Sequence, residues 1–117
     1  MPLITVKTSA KAPEPSALRA LLQQLSADLA ALLGKPERYV MTALESDAAM
    51  TFAGDSAPAA YVEVKSIGAL AGDRTRQISA ALCTCIQTHL GVSADRIYIS
   101  FEDVPAHLWG WNGGTFG

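Results

Sequence analysis

The sequence is poor in cysteine and histidine, has little excess charge and contains no long apolar run. Cys83 and Cys85 are its only thiols. On a helix that spacing turns them about 200° apart, so they neither bridge readily nor make a zinc site, and they read as small apolar residues. There is no CxxC pair, and neither a metal nor a cofactor is expected. A net charge of −2 leaves no basic surplus for nucleic acid and no acidic tail. No stretch reaches the roughly 18 apolar residues of a membrane span. The apolar opening is short and carries Thr5 and Lys7, which does not suit a secretory leader. The expected location is the cytoplasm, with no nucleic-acid or membrane partner.

What the chain does have is apolar residues in regular patterns. Half of its 117 residues are apolar, and this length suits one domain, residues 1–117. A domain this small buries a limited share of its surface, so some apolar surface is expected between subunits.

The strongest pattern is an internal repeat. Ile4-Thr5-Val6-Lys7-Thr8 returns as Val62-Glu63-Val64-Lys65-Ser66, about 58 residues later. Leu33-Gly34 returns as Leu90-Gly91, and the run Glu37 to Thr42 as Asp95 to Ser100. The repeats are approximately 1–57 and 58–117. The first segment of each alternates apolar and polar residues, as half-buried strands do, and the last segment of each also reads as a strand. Between them, Leu18, Leu21, Leu22, Leu25, Leu29, Leu32 and Leu33 follow helical spacing, as do Ile78, Leu82, Cys85, Ile86 and Leu90. Pro13 to Ser16 supply start signals for the first helix and Asp73 an N-cap for the second, with Gly34 and Gly91 as stops. His89 falls on the second helix stripe and reads as structural.

The fold class is therefore α+β. A duplicated βαβ unit forms a four-stranded mixed sheet with two antiparallel helices on one face. The other face carries Thr5, Lys7, Glu63 and Lys65, which suits a hydrated channel or a subunit contact. Residues 48–52 and 107–117 are expected to add short edge strands.

Pro2 stands just ahead of the first strand. On its own it reads as an ordinary strand opening. With Met1 removed, however, its ring nitrogen would be a free secondary amine. Lys35 alone reads as a solvated lysine after a helix stop, Tyr98 as a strand aromatic, and Trp111 with Phe116 as a packing plug. Together with Gly34-Lys35-Pro36 and Tyr39, Ser66-Ile67-Gly68, Asp95 to Ile99, and Gly110-Trp111-Asn112 with Thr115-Phe116, these residues resemble the macrophage migration inhibitory factor family of the tautomerase superfamily. The likeness runs over essentially the whole chain.

That resemblance implies a homotrimer with an active site at each subunit interface. It implies an isomerase that tautomerises phenylpyruvate-like aromatic α-keto acids or dopachrome derivatives, with Pro2 as general base. Lys35 and the Ile67 backbone N–H would hold the substrate carboxylate. Tyr98 would come from the adjacent subunit, and Tyr39, Trp111 and Phe116 would wall an apolar pocket. Ser100 stands where well-known animal members have Asn, and Trp109 where a smaller aliphatic residue is common. Both, with Ser66 at the rim, bear on substrate preference. His107 lies near the expected mouth with no assigned role. The alternative is a non-catalytic, cytokine-like binding protein that meets a receptor through the same fold.

Overall fold

The computed structural model describes residues 1–117. Its four-stranded sheet has the order β2-β1-β3-β4. The strands are β1 (Leu3–Thr8), β2 (Met41–Glu45), β3 (Ala60–Ser66) and β4 (Ile97–Asp103). β1 pairs parallel with β2 and antiparallel with β3, and β3 pairs parallel with β4. Each half is thus one βαβ unit, and the two join through β1 and β3. Helices α1 (Pro15–Leu33) and α2 (Arg74–Leu90) cover one face.

The alternation of the strands settles which face the helices cover. Ile4 and Val6 of β1 and Val62 and Val64 of β3 are fully buried, beneath Leu21, Leu25, Leu29, Ile78, Leu82 and Ile86 of the helices. A one-residue slip would turn each strand's apolar set outward, so burial fixes the register. Thr8 is buried among them with its hydroxyl donating to the Ala59 carbonyl at 2.8 Å. The opposite face holds Thr5, Lys7, Glu63 and Lys65, as the pattern predicts. It also presents Tyr61 and Tyr98, both exposed. Cross-strand pairs link Lys7 to Glu45 at 3.8 Å and Lys65 to Glu102 at 3.6 Å.

Both helices stop where the glycines stand. Gly34 and Gly91 adopt φ of 64° and 69°, the left-handed conformation that costs other residues more. The first helix begins at Pro15, among the expected start signals, and only the cap of the second differs from expectation. Asp73 does precede α2, but its carboxylate caps no backbone N–H and instead pairs with Arg76 at 3.5 Å. The strands after the helices also begin later than their patterns suggest. Glu37–Tyr39 and Ala94–Arg96 are 3₁₀ turns, closed by Val40 N–H to the Glu37 carbonyl and Arg96 N–H to the Ser93 carbonyl, each at 2.9 Å. Each turn brings the chain from a glycine stop back to the sheet, so the duplication extends to the turns.

The two short extras do not lengthen the main sheet. Phe52 makes a single bridge to Asp55. Residues 110–115 pair with themselves as a hairpin, β5 (Gly110–Trp111) with β6 (Gly114–Thr115). Arg96 organises the first of these segments. Its guanidinium donates to the carbonyls of Ala57 at 2.9 Å, Pro58 at 3.0 Å and Asp55 at 3.1 Å, and lies 5.2 Å from the centre of the Phe52 ring. No helix is long and apolar enough to cross a membrane.

Both cysteines are free. Cys85 is buried and Cys83 half-buried. Burial raises both thiol pKa values, and Cys85, with Asp28 adding to the effect, reaches about 11. Thiolate is the reactive form, so both should be sluggish at neutral pH. An aromatic disulfide reagent is expected to label neither thiol rapidly at pH 7 in the folded protein, and both once it is denatured. Prompt labelling of Cys85 in the folded state would contradict this packing.

Candidate active site

The turn at Glu37–Tyr39 begins the site. Pro36 precedes it in extended conformation, and its carbonyl accepts the Tyr39 N–H at 3.1 Å. The turn brings Tyr39 beside the C-terminal hairpin. That hairpin turns through Asn112 and Gly113, with φ of 51° and 80°. Two successive positive φ values match the twist of a tight hairpin, and Asn-Gly is the dipeptide that adopts them most readily. Phe116 is drawn in by its N–H to the Trp109 carbonyl at 3.2 Å.

Three aromatic rings meet as a result. Trp111 and Phe116 stack at 5.5 Å with 14° between their planes, and Tyr39 meets them edge-on at 5.8 Å and 6.2 Å. Such geometries add to the area these rings bury and hold the group together. They form one wall of a cavity of about 600 Å³ that also includes Pro2 and Trp109. That size suits a small organic ligand.

Pro2 is buried. Its carbonyl accepts the Met41 N–H at 3.0 Å, which extends the β1–β2 ladder to the cavity wall. The Met1 amine shows what this neighbourhood does to a cation. Burial holds its pKa below the ordinary value, and the positive charge of Lys35 lowers it further. Lys35 reaches across to the Ser66-Ile67-Gly68 segment, where its ammonium donates to the Ile67 carbonyl at 2.7 Å. The same segment is pinned from the other side by Gly68 N–H to the Asp103 carboxylate at 2.8 Å.

Of the residues singled out from sequence, Pro2, Tyr39, Trp109, Trp111 and Phe116 share this cavity. Lys35 and Ile67 lie beside it, joined to each other, and do not line it. Ser66 is fully buried and its hydroxyl has no partner. Tyr98 and Ser100 are elsewhere, exposed on the open sheet face. Tyr98 packs against the Phe52 ring at 4.8 Å, and the Ser100 hydroxyl shares a 2.7 Å hydrogen bond with that of Tyr61. His107 is exposed and does not line the cavity.

Sequence reasoning missed Arg38, Met41, Lys65 and Glu102, all of which reach the cavity wall. The last two meet because β3 and β4 pair Lys65 with Glu102 in register, and no local motif announces that. Asn112-Gly113 was a readable hairpin signal, and it would have placed Trp111 on a self-paired ribbon.

The profile described as macrophage migration inhibitory factor matches residues 1–117. The macrophage migration inhibitory factor of Meriones unguiculatus is 40% identical over 116 residues, covering 99% of both chains. Among solved structures, the homologue from Prochlorococcus marinus is 58% identical, with a TM-score of 0.94 over 98% of this chain and 99% of that one. The Toxoplasma gondii protein is 33% identical, with a TM-score of 0.93 over 97% and 99%.

A titration checks the electrostatics around Lys35. In the chain that keeps Met1, the α-amine, followed by NMR, is expected to titrate below the usual value of about 8. Lys35→Ala should move it part of the way back up, because burial, the larger cause, remains. An unchanged titration in that variant would remove Lys35 from the site's electrostatics.

Proposed function

The chain belongs to the macrophage migration inhibitory factor family, and from that premise we propose that it is an isomerase of aromatic α-keto acids of the phenylpyruvate type, or of dopachrome derivatives, with the freed nitrogen of Pro2 as general base. The observation that carries this reading is the meeting of a buried Pro2 and an aromatic wall in one cavity, where a neighbouring amine is already held below its ordinary pKa.

The chemistry follows from that meeting. With Met1 removed, the Pro2 nitrogen is a secondary amine at a buried position near Lys35. The two causes that lower the Met1 amine act on it as well. An amine with a lowered pKa is partly neutral at pH 7 and can accept a proton. It takes the proton from the enol oxygen and returns it to the adjacent carbon as the carbonyl forms. Enol becomes ketone with nothing gained or lost. The ammonium of Lys35 has three donors. One is directed to the Ile67 carbonyl, and the other two would meet the substrate carboxylate where it projects past the cavity lining, beside the Ile67 N–H. The ring of the substrate lies against Tyr39, Trp111 and Phe116.

The exposure of Tyr98 on the open sheet face supports a trimer in which it reaches the cavity of a neighbouring copy, with Ser100 on the same strand. Trp109, on the cavity wall, bears on the rim and on which ring enters, whereas Ser66 is fully buried and takes no part in the rim.

The test is enol-to-keto conversion of phenylpyruvate, followed by ultraviolet absorbance on protein whose mass shows Met1 removed. Pro2→Gly is expected to lose roughly 10²–10⁴-fold in kcat, the usual contribution of a positioned base, with circular dichroism unchanged. For the parent protein, kcat/KM should rise with pH as the amine loses its proton, through a midpoint below about 8. Full turnover in Pro2→Gly would refute the assignment and favour a binding role.

A further inference from the structure

Cationic side chains stand in two different places, one beside the cavity and one on its wall. Lys35 is engaged with the Ile67 carbonyl, where the keto acid end of a substrate would lie. Arg38 is the other. It lines the cavity, is exposed, and takes part in no hydrogen bond or ion pair. The only carboxylate on the cavity wall, Glu102, is paired with Lys65 at 3.6 Å. The charge of Arg38 is therefore uncompensated.

Its position is set by the aromatic wall. The guanidinium carbon lies 4.8 Å from the centre of the Tyr39 ring. The guanidinium sits over the ring and none of its N–H donors is engaged by another protein group, which leaves them available as the fork that suits a carboxylate. The ring it covers is the one that meets Trp111 and Phe116 edge-on. The free positive charge thus stands beside the place of the substrate's ring.

We propose that the preferred substrate is an aromatic α-keto acid bearing a second carboxylate at the far end of its ring, and that Arg38 selects it. This rests on the tautomerase reading above and adds the substrate class. A neutral ring would satisfy the aromatic wall and leave the guanidinium to water. A distal carboxylate satisfies both.

The experiment uses Met1-free protein and compares two para-substituted phenylpyruvates, one carrying a carboxylate and one a methyl group of similar width. The carboxylated substrate is expected to win by about two- to fivefold in kcat/KM, the scale of one exposed charge-assisted contact. Arg38→Gln should bring that ratio close to one, and Arg38→Lys, which keeps the charge without the fork, should retain part of it. A ratio near one in the parent protein, or a preference that survives Arg38→Gln, overturns the proposal. If neither compound is converted, the tautomerase reading fails by itself. The selectivity is then read from quenching of tryptophan fluorescence by 4-carboxyphenylacetate against 4-methylphenylacetate. The carboxylated ligand should bind about two- to fivefold more tightly and lose that advantage in Arg38→Gln. Equal affinities would overturn the proposal.

Discussion

The rest of the structure depends on the place of β1. It is an inner strand, bonded to β2 on one side and β3 on the other. It joins the two βαβ halves, and its own alternation puts Ile4 and Val6 into the core with complete burial. Pro2 leads directly into that strand and is held by the hydrogen bond from Met41. A residue attached to an exposed loop could sample many positions. Here, the pairing that completes the sheet also fixes the nitrogen proposed to accept a proton. Fold and site share one constraint.

The second requirement is chemical. A base that works near neutral pH must resist protonation, and the cavity acts in that direction twice. Burial disfavours the charged form of an amine, and Lys35 adds repulsion. Lys35 is kept near by its hydrogen bond to Ile67, so the segment Ser66-Ile67-Gly68 shapes the electrostatics without touching the cavity itself. On the opposite side, the hairpin 110–115 has little backbone pairing of its own. Its Trp111 ring is held by Phe116 and by Tyr39. The apolar wall is thus built from residues far apart in sequence, brought together by the 3₁₀ turn that follows α1 and by the Asn112-Gly113 turn.

Much of this was legible in the sequence because it repeats. The duplicated strand pattern, the leucine spacing of α1, the stripe of α2 and the two glycine stops specify elements whose periods are local. The placing of Ile4, Val6, Val62 and Val64 in the core followed from alternation alone. Pro2, Tyr39, Trp111 and Phe116 were singled out through resemblance, and the fold brings them to one cavity. Other features depend on tertiary pairing. Lys65 meets Glu102 only through the β3–β4 register. Arg38 is one charged residue among several until Tyr39 is known to lie beneath it. The carboxylate of Asp73 sits where caps sit, but its backbone at φ −85° and ψ 4° lacks the extended conformation of a capping residue, and the carboxylate pairs with Arg76 instead. Tyr98 and Ser100 point away from the cavity of their own chain, and their assignment rests on a neighbouring copy.

The most direct measurement is the titration of the Pro2 nitrogen itself. Protein labelled with ¹⁵N at proline and shown by mass to lack Met1 would be followed by NMR across pH. A titration below about 8, the ordinary range of an α-amine, is expected, with a substantial neutral fraction at pH 7. A titration at or above that value would mean that the cavity does not prepare Pro2 as a base, and the proton transfer assigned to it would have to be abandoned.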